Sequence, residues 1–164
     1  MTQPSVSEYF IEKHRMPVTL LLTGGERVSG QVFTQASWRG MTDLEDAWEF
    51  MNGEDSFFPF GTAAGTRLVA KAHVLALETS IDNVSPARRE LGTPTSVRVT
   101  LAGGFEFSGQ LWLEEVVARA RVLDYLNHTR DPFIAVYQSK LAILLNRRHV
   151  VFVTPEETGH GHDA

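Results

Sequence analysis

Histidines are the residues of this sequence with the clearest potential for acid-base or metal chemistry. His73 and His149 occupy matching places in two apolar segments, and an imidazole titrates near neutral pH and binds metals. Neither has a serine, cysteine or carboxylate at the spacing of a catalytic pair. His160, His162 and Asp163 lie in a polar tail, whereas a metal needs rigidly held ligands. The sequence therefore predicts no metal site and no cofactor.

Four carboxylates stand close together in the segment DLEDAWEFMN at 43–52. Paired carboxylates can divide acid and base roles when a cleft separates their pKa values. The apolar residues between them follow the period of an amphipathic helical turn, so we expect a solvent-exposed face made of Asp43, Glu45, Asp46 and Glu49. The chain has no cysteine, which excludes disulfides and thiolate chemistry. We expect a protein that is not an enzyme.

Basic residues of the second half could form a nucleic-acid surface. Phosphate contact combined with base stacking could come from Arg119, Arg121, Lys140, Arg147, Arg148 and His149 with Tyr125 and Tyr137. The net charge of −5 and the isoelectric point of about 5.6 disfavour such a surface. Nucleic-acid binding therefore stays the alternative, and a protein partner or self-association is the first expectation.

A recurring strand signal must position all these residues. Apolar residues alternate along 18–22 and again along 97–101, which predicts strands with one buried face. The Gly-Gly pairs at 24–25 and 103–104 then indicate tight turns into return strands. Within those return strands, Gly30 and Gly109 predict a bend or bulge that needs no side chain.

The recurrence extends beyond the hairpins. The pattern GG-x-x-x-SGQ occurs at 24–31 and at 103–110. Segments 43–52 and 119–127 each predict a short helical turn that ends at an asparagine, and an aromatic strand and an apolar segment (67–78 and 141–154) follow each turn. Ser5 and Glu8 form a capping-box pattern that predicts a further helix over 5–15. We infer a gene-internal duplication of one β unit.

These patterns predict a mainly β protein of two tandem small β-barrels with short helices. The expected division is a first module with the N-terminal helix at 1–79, a linker at 80–94, a second module at 95–155 and a disordered tail at 156–164. Short strands with glycine turns in so small a unit favour a strongly curved sheet, which reduces exposed edges. No segment is apolar for the roughly 18 residues that span a bilayer, and the polar N-terminus does not look like a secretion signal, so we expect a cytoplasmic protein without membrane contact.

The hairpin V-x-L-x-x-G-G-x-x-x-x-G-x-V and the closing strand LLNRRHVVFV resemble the Sm-like and SH3-like small β-barrels. The motifs R-x-x-D-x-L-N and L-N-x-x-H-V are also similar to those of little-characterised bacterial small-barrel domains, and they are carried by Arg121, Asp124, Leu126, Asn127, Leu145, Asn146, His149 and Val150. The resemblance implies small barrels and, for Sm-like domains, RNA binding. Neither half reproduces the Asp, Asn and Arg-Gly set of Sm-type RNA sites.

The function that we expect is binding or assembly through protein-protein contacts. Trp38 lies beside Arg39 in the polar segment QASWRG, where an exposed indole would suit a partner surface. The predicted partner-binding residues are Trp38, Arg39, Arg121, Asp124, Arg147, Arg148 and His149.

Overall fold

The structure of the protein is a computed structural model that describes residues 13–35, 45–90, 92–113 and 118–156. Its ten strands are β1 (Lys13–Leu22), β2 (Arg27–Gln35), β3 (Phe57–Thr62), β4 (Gly65–Ala70), β5 (Val74–Ser80), β6 (Thr93–Leu101), β7 (Glu106–Leu113), β8 (Phe133–Tyr137), β9 (Leu141–Asn146) and β10 (Val150–Pro155). The α-helices of the described residues are α1 (Ala47–Asn52), α2 (Ala87–Glu90) and α3 (Ala118–His128), and 3-10 helices cover Lys71–His73, Ile81–Asn83 and Arg147–His149.

All ten strands belong to one antiparallel sheet with the order β10-β6-β7-β8-β9-β5-β1-β2-β3-β4. The prediction of a mainly β fold is confirmed. The first half of the chain contributes β5-β1-β2-β3-β4 and the second half contributes β10-β6-β7-β8-β9, so corresponding strands lie in the same order in both halves. The pairings form one sheet with β10 and β4 at its ends, and the closure of each half into a barrel and the gene-internal duplication stay predictions.

The two hairpins are built as the glycine pattern predicts. Gly25, Gly103 and Gly104 have φ angles of 91°, 90° and 87°, which glycine adopts without steric cost. Gly30 and Gly109 pair regularly with Val18 and Val97, so no bulge forms there. A Cβ on Gly109 would lie 2.7 Å from the Tyr137 carbonyl oxygen, and a Cβ on Gly30 would collide with the Gly61 carbonyl. Glycine is therefore needed because the neighbouring strand approaches closely.

Several local predictions need correction or fall outside the described residues. The predicted helix over 5–15 lies mostly outside them, but Lys13–Arg15 are the start of β1, where His14 and Arg15 pair with Thr34 and Phe33. Each of the apolar segments 67–78 and 141–154 is two strands separated by a 3-10 helix. The helical prediction at 119–127 is confirmed by α3, and the one at 43–52 is confirmed in its second part by α1.

The apolar core joins the two halves of the chain. One cluster packs first-half residues such as Leu20, Met51 and Phe58 against Phe133 and Leu144 of the second half. A second cluster packs Leu21, Leu75 and Ala76 against Val97, Leu101, Phe107 and Ile143. Burial of one such side chain stabilises a fold by about 2 kcal/mol, so each half depends on the other for part of its stability.

Candidate protein-binding site at the sheet edges

The two halves meet where β5 pairs with β9. The antiparallel register joins Ala76 to Leu145, Leu77 to Leu144, Glu78 to Ile143, Thr79 to Ala142 and Ser80 to Leu141. We call this pairing the inner junction. Leu77 and Leu144 are fully buried in it, so the inner junction is part of the core.

Asn146 holds the end of the inner junction. Its buried side-chain Nδ2 donates to the carbonyl oxygen of Val74 at 2.9 Å and to that of Lys71 at 3.4 Å. Its Oδ1 accepts from the Arg148 backbone N–H at 3.1 Å. Removal of this amide would take one hydrogen bond from each carbonyl group, although the Lys71 carbonyl would still accept from the Val74 backbone N–H. The loss of two hydrogen bonds costs about 1–3 kcal/mol.

His149 makes a second contact across the junction. Its Nε2 lies 3.0 Å from the Ala72 carbonyl oxygen, and because a carbonyl only accepts, the imidazole must carry its proton on Nε2. His73 holds the corresponding place in the first half, where its Nδ1 lies 3.2 Å from Thr23 Oγ1. The two histidines that drew attention as chemical groups thus make structural hydrogen bonds.

Helix α1 crosses from the first half onto β8 of the second. The side-chain Oδ1 of Asn52, its last residue, accepts from the Phe133 backbone N–H at 2.8 Å. Lys71 Nζ donates to the carbonyl oxygens of Phe50 at 2.9 Å and Gly53 at 3.3 Å, and burial lowers the pKa of this lysine, an effect that the charges of Asp55 and Glu45 partly offset. These contacts fix α1 at the joint between the halves.

Asp46 ties the segment between β5 and β6 to α1. Its Oδ1 accepts from the Glu49 backbone N–H in a capping box, and its Oδ2 accepts from the Ser85 backbone N–H at 2.8 Å and from Arg88 Nε at 3.2 Å. The Arg88 guanidinium lies 3.9 Å from the centroid of the Trp48 ring. The expectation of a solvated acidic face is therefore wrong for Asp46, whose carboxylate holds the two elements together.

The ends of the sheet contrast with this junction. Within the described residues, no strand pairs with the outer side of β4 or of β10. Large apolar side chains are exposed at both edges: Phe57 (60%) of β3 and Leu68 (73%) of β4 at one end, and Val151 (54%) and Phe152 (65%) of β10 at the other. We call β4 with Phe57 the first open edge, and β10 the second open edge.

The predicted partner-binding residues fall in different places. Trp38 and Arg39 lie outside the described residues. Arg121 and Asp124 belong to α3, and the Asp124 carbonyl oxygen lies 2.8 Å from His128 Nδ1. The side chain of Arg121 is outside the described part of the chain.

Arg147, Arg148 and His149 form one 3-10 helix directly after β9. Arg147 Nε donates to the Asp131 carbonyl oxygen at 2.8 Å, and His149 is bound to Ala72. Arg148 is exposed. Two of these three basic side chains therefore support neighbouring loops.

A cleft of about 330 Å³ lies between α2 and β7, and aromatic side chains line much of it. Burial, reinforced by the charge of Asp131, raises the pKa of Tyr125 to about 12, although the hydroxyl contact with Thr129 opposes this. Burial also raises the pKa of Tyr137. Neither His73 nor His149 lines this cleft. In the described residues, no three His, Asp or Glu side chains gather as metal ligands.

Comparisons with family models, curated proteins and solved structures found no match to this chain. None of the helices in the described ranges has the length and apolar character needed to cross a bilayer.

The sequence interpretation missed Leu68 and Phe152 as binding candidates and Asn52 as a contact between the two halves, and it noted Asn146 only as part of a motif. A polar amide inside the apolar run LAILLNRR was the available signal for Asn146, because a buried amide needs partners. Leu68 and Phe152 gave no such signal, since apolar residues in a strand usually indicate burial.

Proposed function

We propose that this protein is a non-enzymatic binding or assembly module that joins other protein chains through its two open edges. Each half would be a small Sm-like β-barrel, and the outermost strands β4 and β10 would accept an additional strand. The observation that supports this proposal is the exposure of large apolar side chains beside both unpaired strands.

An unpaired strand offers a row of N–H and C=O groups to any extended segment. Natural edges are usually protected by charged residues, proline or a covering element. Strand β4 carries one charged residue, Arg67, next to the exposed Leu68. Strand β10 carries none, and its proline is its last residue, position 155, away from the exposed Phe152. Addition of a strand would pair the backbone groups and cover these side chains, which is the usual mode of β-augmentation.

The alternative of RNA binding rests on a basic patch of the second half made of Arg119, Arg121, Lys140, Arg147, Arg148 and His149. Two of these side chains are engaged with backbone carbonyl groups, and the chain carries a net charge of −5. These observations favour the protein-binding proposal. Oligonucleotide binding that weakens steeply with added salt would instead support the alternative.

The test compares substitutions at the edges with the same substitution inside the sheet. Leu68→Lys and Phe152→Lys place a charge on the open edges, whereas Leu141→Lys alters a 36% exposed leucine of the inner strand β9. Association would be measured by light scattering of the purified chain and by capture of proteins from native extract. We expect both edge variants to lose association and the control to keep it. A wild-type chain without any association, or equal loss in all three variants, would contradict the proposal.

A further inference from the structure

A second cleft lies where two strands of the sheet scarcely pair. Strands β7 and β8 are joined at one position, Gln110 with Tyr137, whereas β6 pairs with β7 all the way from Thr93 to Thr100. Beside this position is a cleft of about 580 Å³, which extends to Arg89 of α2. A volume of this size is typical of small-molecule sites. We call it the Arg89 cleft.

Two aromatic side chains line the Arg89 cleft, Trp112 and Tyr137. Tyr137 is buried, whereas Trp112 is only partly buried. The indole therefore offers an apolar surface on which a planar ring can pack. The Arg89 guanidinium carbon lies 5.0 Å from the centroid of the Tyr137 ring, so a positive charge lies close to the aromatic wall.

Arg89 has no carboxylate partner among the described residues. Its neighbour Arg88 pairs with Asp46 at 3.2 Å. Successive residues of a helix point in directions about 100° apart, and the two arginines accordingly line different clefts. Glu156 also lines the Arg89 cleft, but it pairs with Arg98 at 3.5 Å. The cleft therefore carries one uncompensated positive charge, in a chain whose net charge is −5.

Two donors of the lining residues lack acceptors. Arg89 Nε and Trp112 Nε1 are buried and make no hydrogen bond within the described part of the chain. Buried polar groups are nearly always paired, because an unpaired donor is costly. Both side chains are only partly buried as a whole, so a rotamer change of the kind that is common on binding brings the donors to a molecule in the cleft.

The remaining lining is mostly polar and uncharged. Ser96, Ser108 and Ser139 contribute hydroxyl groups, which can donate or accept. Gln138 is held in place, because its Nε2 donates to the Ser108 carbonyl oxygen at 2.8 Å. Groups of this kind orient a ligand without adding charge.

We propose that the Arg89 cleft binds a small aromatic carboxylate. A guanidinium matches a carboxylate through two parallel hydrogen bonds, and one uncompensated cation balances one monoanion. A phosphate group carries almost two negative charges and would leave an excess beside Glu156. The ring of the ligand packs on Trp112. Neither Leu68 nor Phe152 lines the cleft, so this ligand site is additional to the open edges and independent of them.

The experiment measures the binding of cinnamate to the full-length chain by isothermal titration calorimetry. Cinnamamide supplies the same ring without the charge, acetate supplies the carboxylate without the ring, and inorganic phosphate tests for a general anion site. We expect cinnamate to bind with a Kd of about 1 mM or tighter, as a ligand of its size can. Each of the other three should bind at least about tenfold more weakly, because each lacks the charged hydrogen bonds or the buried ring.

Substitutions then place the ligand in the cleft. Arg89→Gln should weaken cinnamate binding by about tenfold or more, since it removes charge-assisted hydrogen bonds, and Arg89→Lys should give a smaller loss because it keeps the charge without the fork. Trp112→Phe keeps an aromatic ring without the N–H and should weaken binding about fivefold. The matched control is Arg67→Gln, which removes the same charge from β4, outside the lining of the cleft, and should leave the Kd unchanged. Circular dichroism would verify the fold of each variant, and Arg89→Lys decides the test if Arg89→Gln does not fold.

Other results would overturn the proposal. Absence of cinnamate binding at millimolar concentration would end it. Equal affinity for cinnamamide would reject the acid group as the recognised feature, and tighter binding of phosphate would reject the aromatic carboxylate as the ligand class. Equal losses in Arg67→Gln and Arg89→Gln would mean that overall charge governs binding and that the cleft does not. None of these results affects the open edges, which are tested separately by light scattering and capture.

Discussion

The strands of the open edges, β4 and β10, hold the same places in the strand order of their halves as β9 and β5. Strands β9 and β5 pair with each other at the inner junction, whereas β4 and β10 have no neighbour on their outer sides among the described residues. At the inner junction, Leu77 and Leu144 are fully buried and Asn146 binds two carbonyl groups. At the open edges, Leu68 is 73% exposed and Ala70 stands in the place of the asparagine. The same strand positions therefore carry apolar side chains whether or not a neighbouring strand covers them.

This difference shows which apolar residues stabilise the single chain and which are exposed to a partner. Apolar residues at the inner junction are explained by the core of the single chain, because they are removed from water when it folds. Leu68 and Phe152 gain nothing comparable in a single chain. Exposed apolar residues beside unpaired strands favour aggregation. A partner strand would cover these side chains and make them part of a stabilising contact.

The sharpest comparison uses the same substitution at two corresponding leucines. Leu144→Ala removes a fully buried side chain from the core, and we expect it to lower the free energy of unfolding by about 3 kcal/mol. Leu68→Ala alters an exposed side chain, and we expect a change within about 0.5 kcal/mol. Urea denaturation of both variants at a concentration where the chain is monomeric would measure the two effects.

The comparison would fail if both leucines gave equal losses. Such a result would mean that the first open edge is already covered within the single chain, because only burial makes a leucine costly to remove. At higher protein concentration the cost of Leu68→Ala should grow, since association with a partner strand adds stability by mass action.

The local elements of the fold could be predicted because their signals are local. Gly103 and Gly104 between alternating apolar residues indicate a tight turn without reference to the rest of the chain, and the segment of α3 was predicted from the asparagine at its end. The pairing of β5 with β9 had no such signal. Val74 to Ser80 and Leu141 to Asn146 are far apart in sequence, and each reads only as a buried strand that needs a neighbour.

A second prediction concerns the polar clamp of the inner junction. Asn146→Ala makes this position identical to its counterpart Ala70, and it leaves the Val74 and Lys71 carbonyl groups without their amide donor. We expect the free energy of unfolding to fall by about 2 kcal/mol. Thermal unfolding followed by circular dichroism would measure the loss as a lower melting temperature.

Ala70→Asn is the matched control for this prediction. The added amide lies at the free edge in the monomer, so the free energy of unfolding of this variant should stay within about 0.5 kcal/mol of that of the wild type. If the chain assembles through its first open edge, as the proposed function allows, the same variant should strengthen that association, because the added amide could act there as Asn146 acts at the inner junction. Loss of stability in Ala70→Asn equal to that in Asn146→Ala would contradict the prediction, because it would mean that position 70 does not tolerate an added side chain and is not at a free edge in the monomer.

The candidate site was less predictable than the fold because exposure is decided by the whole sheet. Val153 and Leu77 belong to corresponding strands, yet only the strand order shows that β10 lies at an end and β5 in the middle. The basic residues Arg147 and His149 drew attention by type, but the 3-10 helix that contains them places both side chains against carbonyl groups. The carbonyl groups that they contact belong to Asp131 and Ala72, which are distant in sequence, so residue type alone gave no sign of these contacts.

A third prediction compares the helical turns α1 and α3 by their response to pH. Burial raises the pKa of Tyr125 in α3 to about 12 from an ordinary value of 10.0, while the corresponding residue of α1, Phe50, does not titrate. Because the folded-state pKa is the higher one, this tyrosine stabilises the fold fully below pH 10 and loses its contribution as the pH rises through 12.

Tyr125→Phe should therefore remove up to about 2 kcal/mol of the stability lost between pH 10 and pH 12. Urea denaturation across that range measures the slope, to which Tyr137 contributes in wild type and variant alike because burial also raises its pKa. An identical slope in wild type and variant would mean that the Tyr125 hydroxyl is solvated, and that the cleft beside α3 is open to water where the joint around α1 is closed.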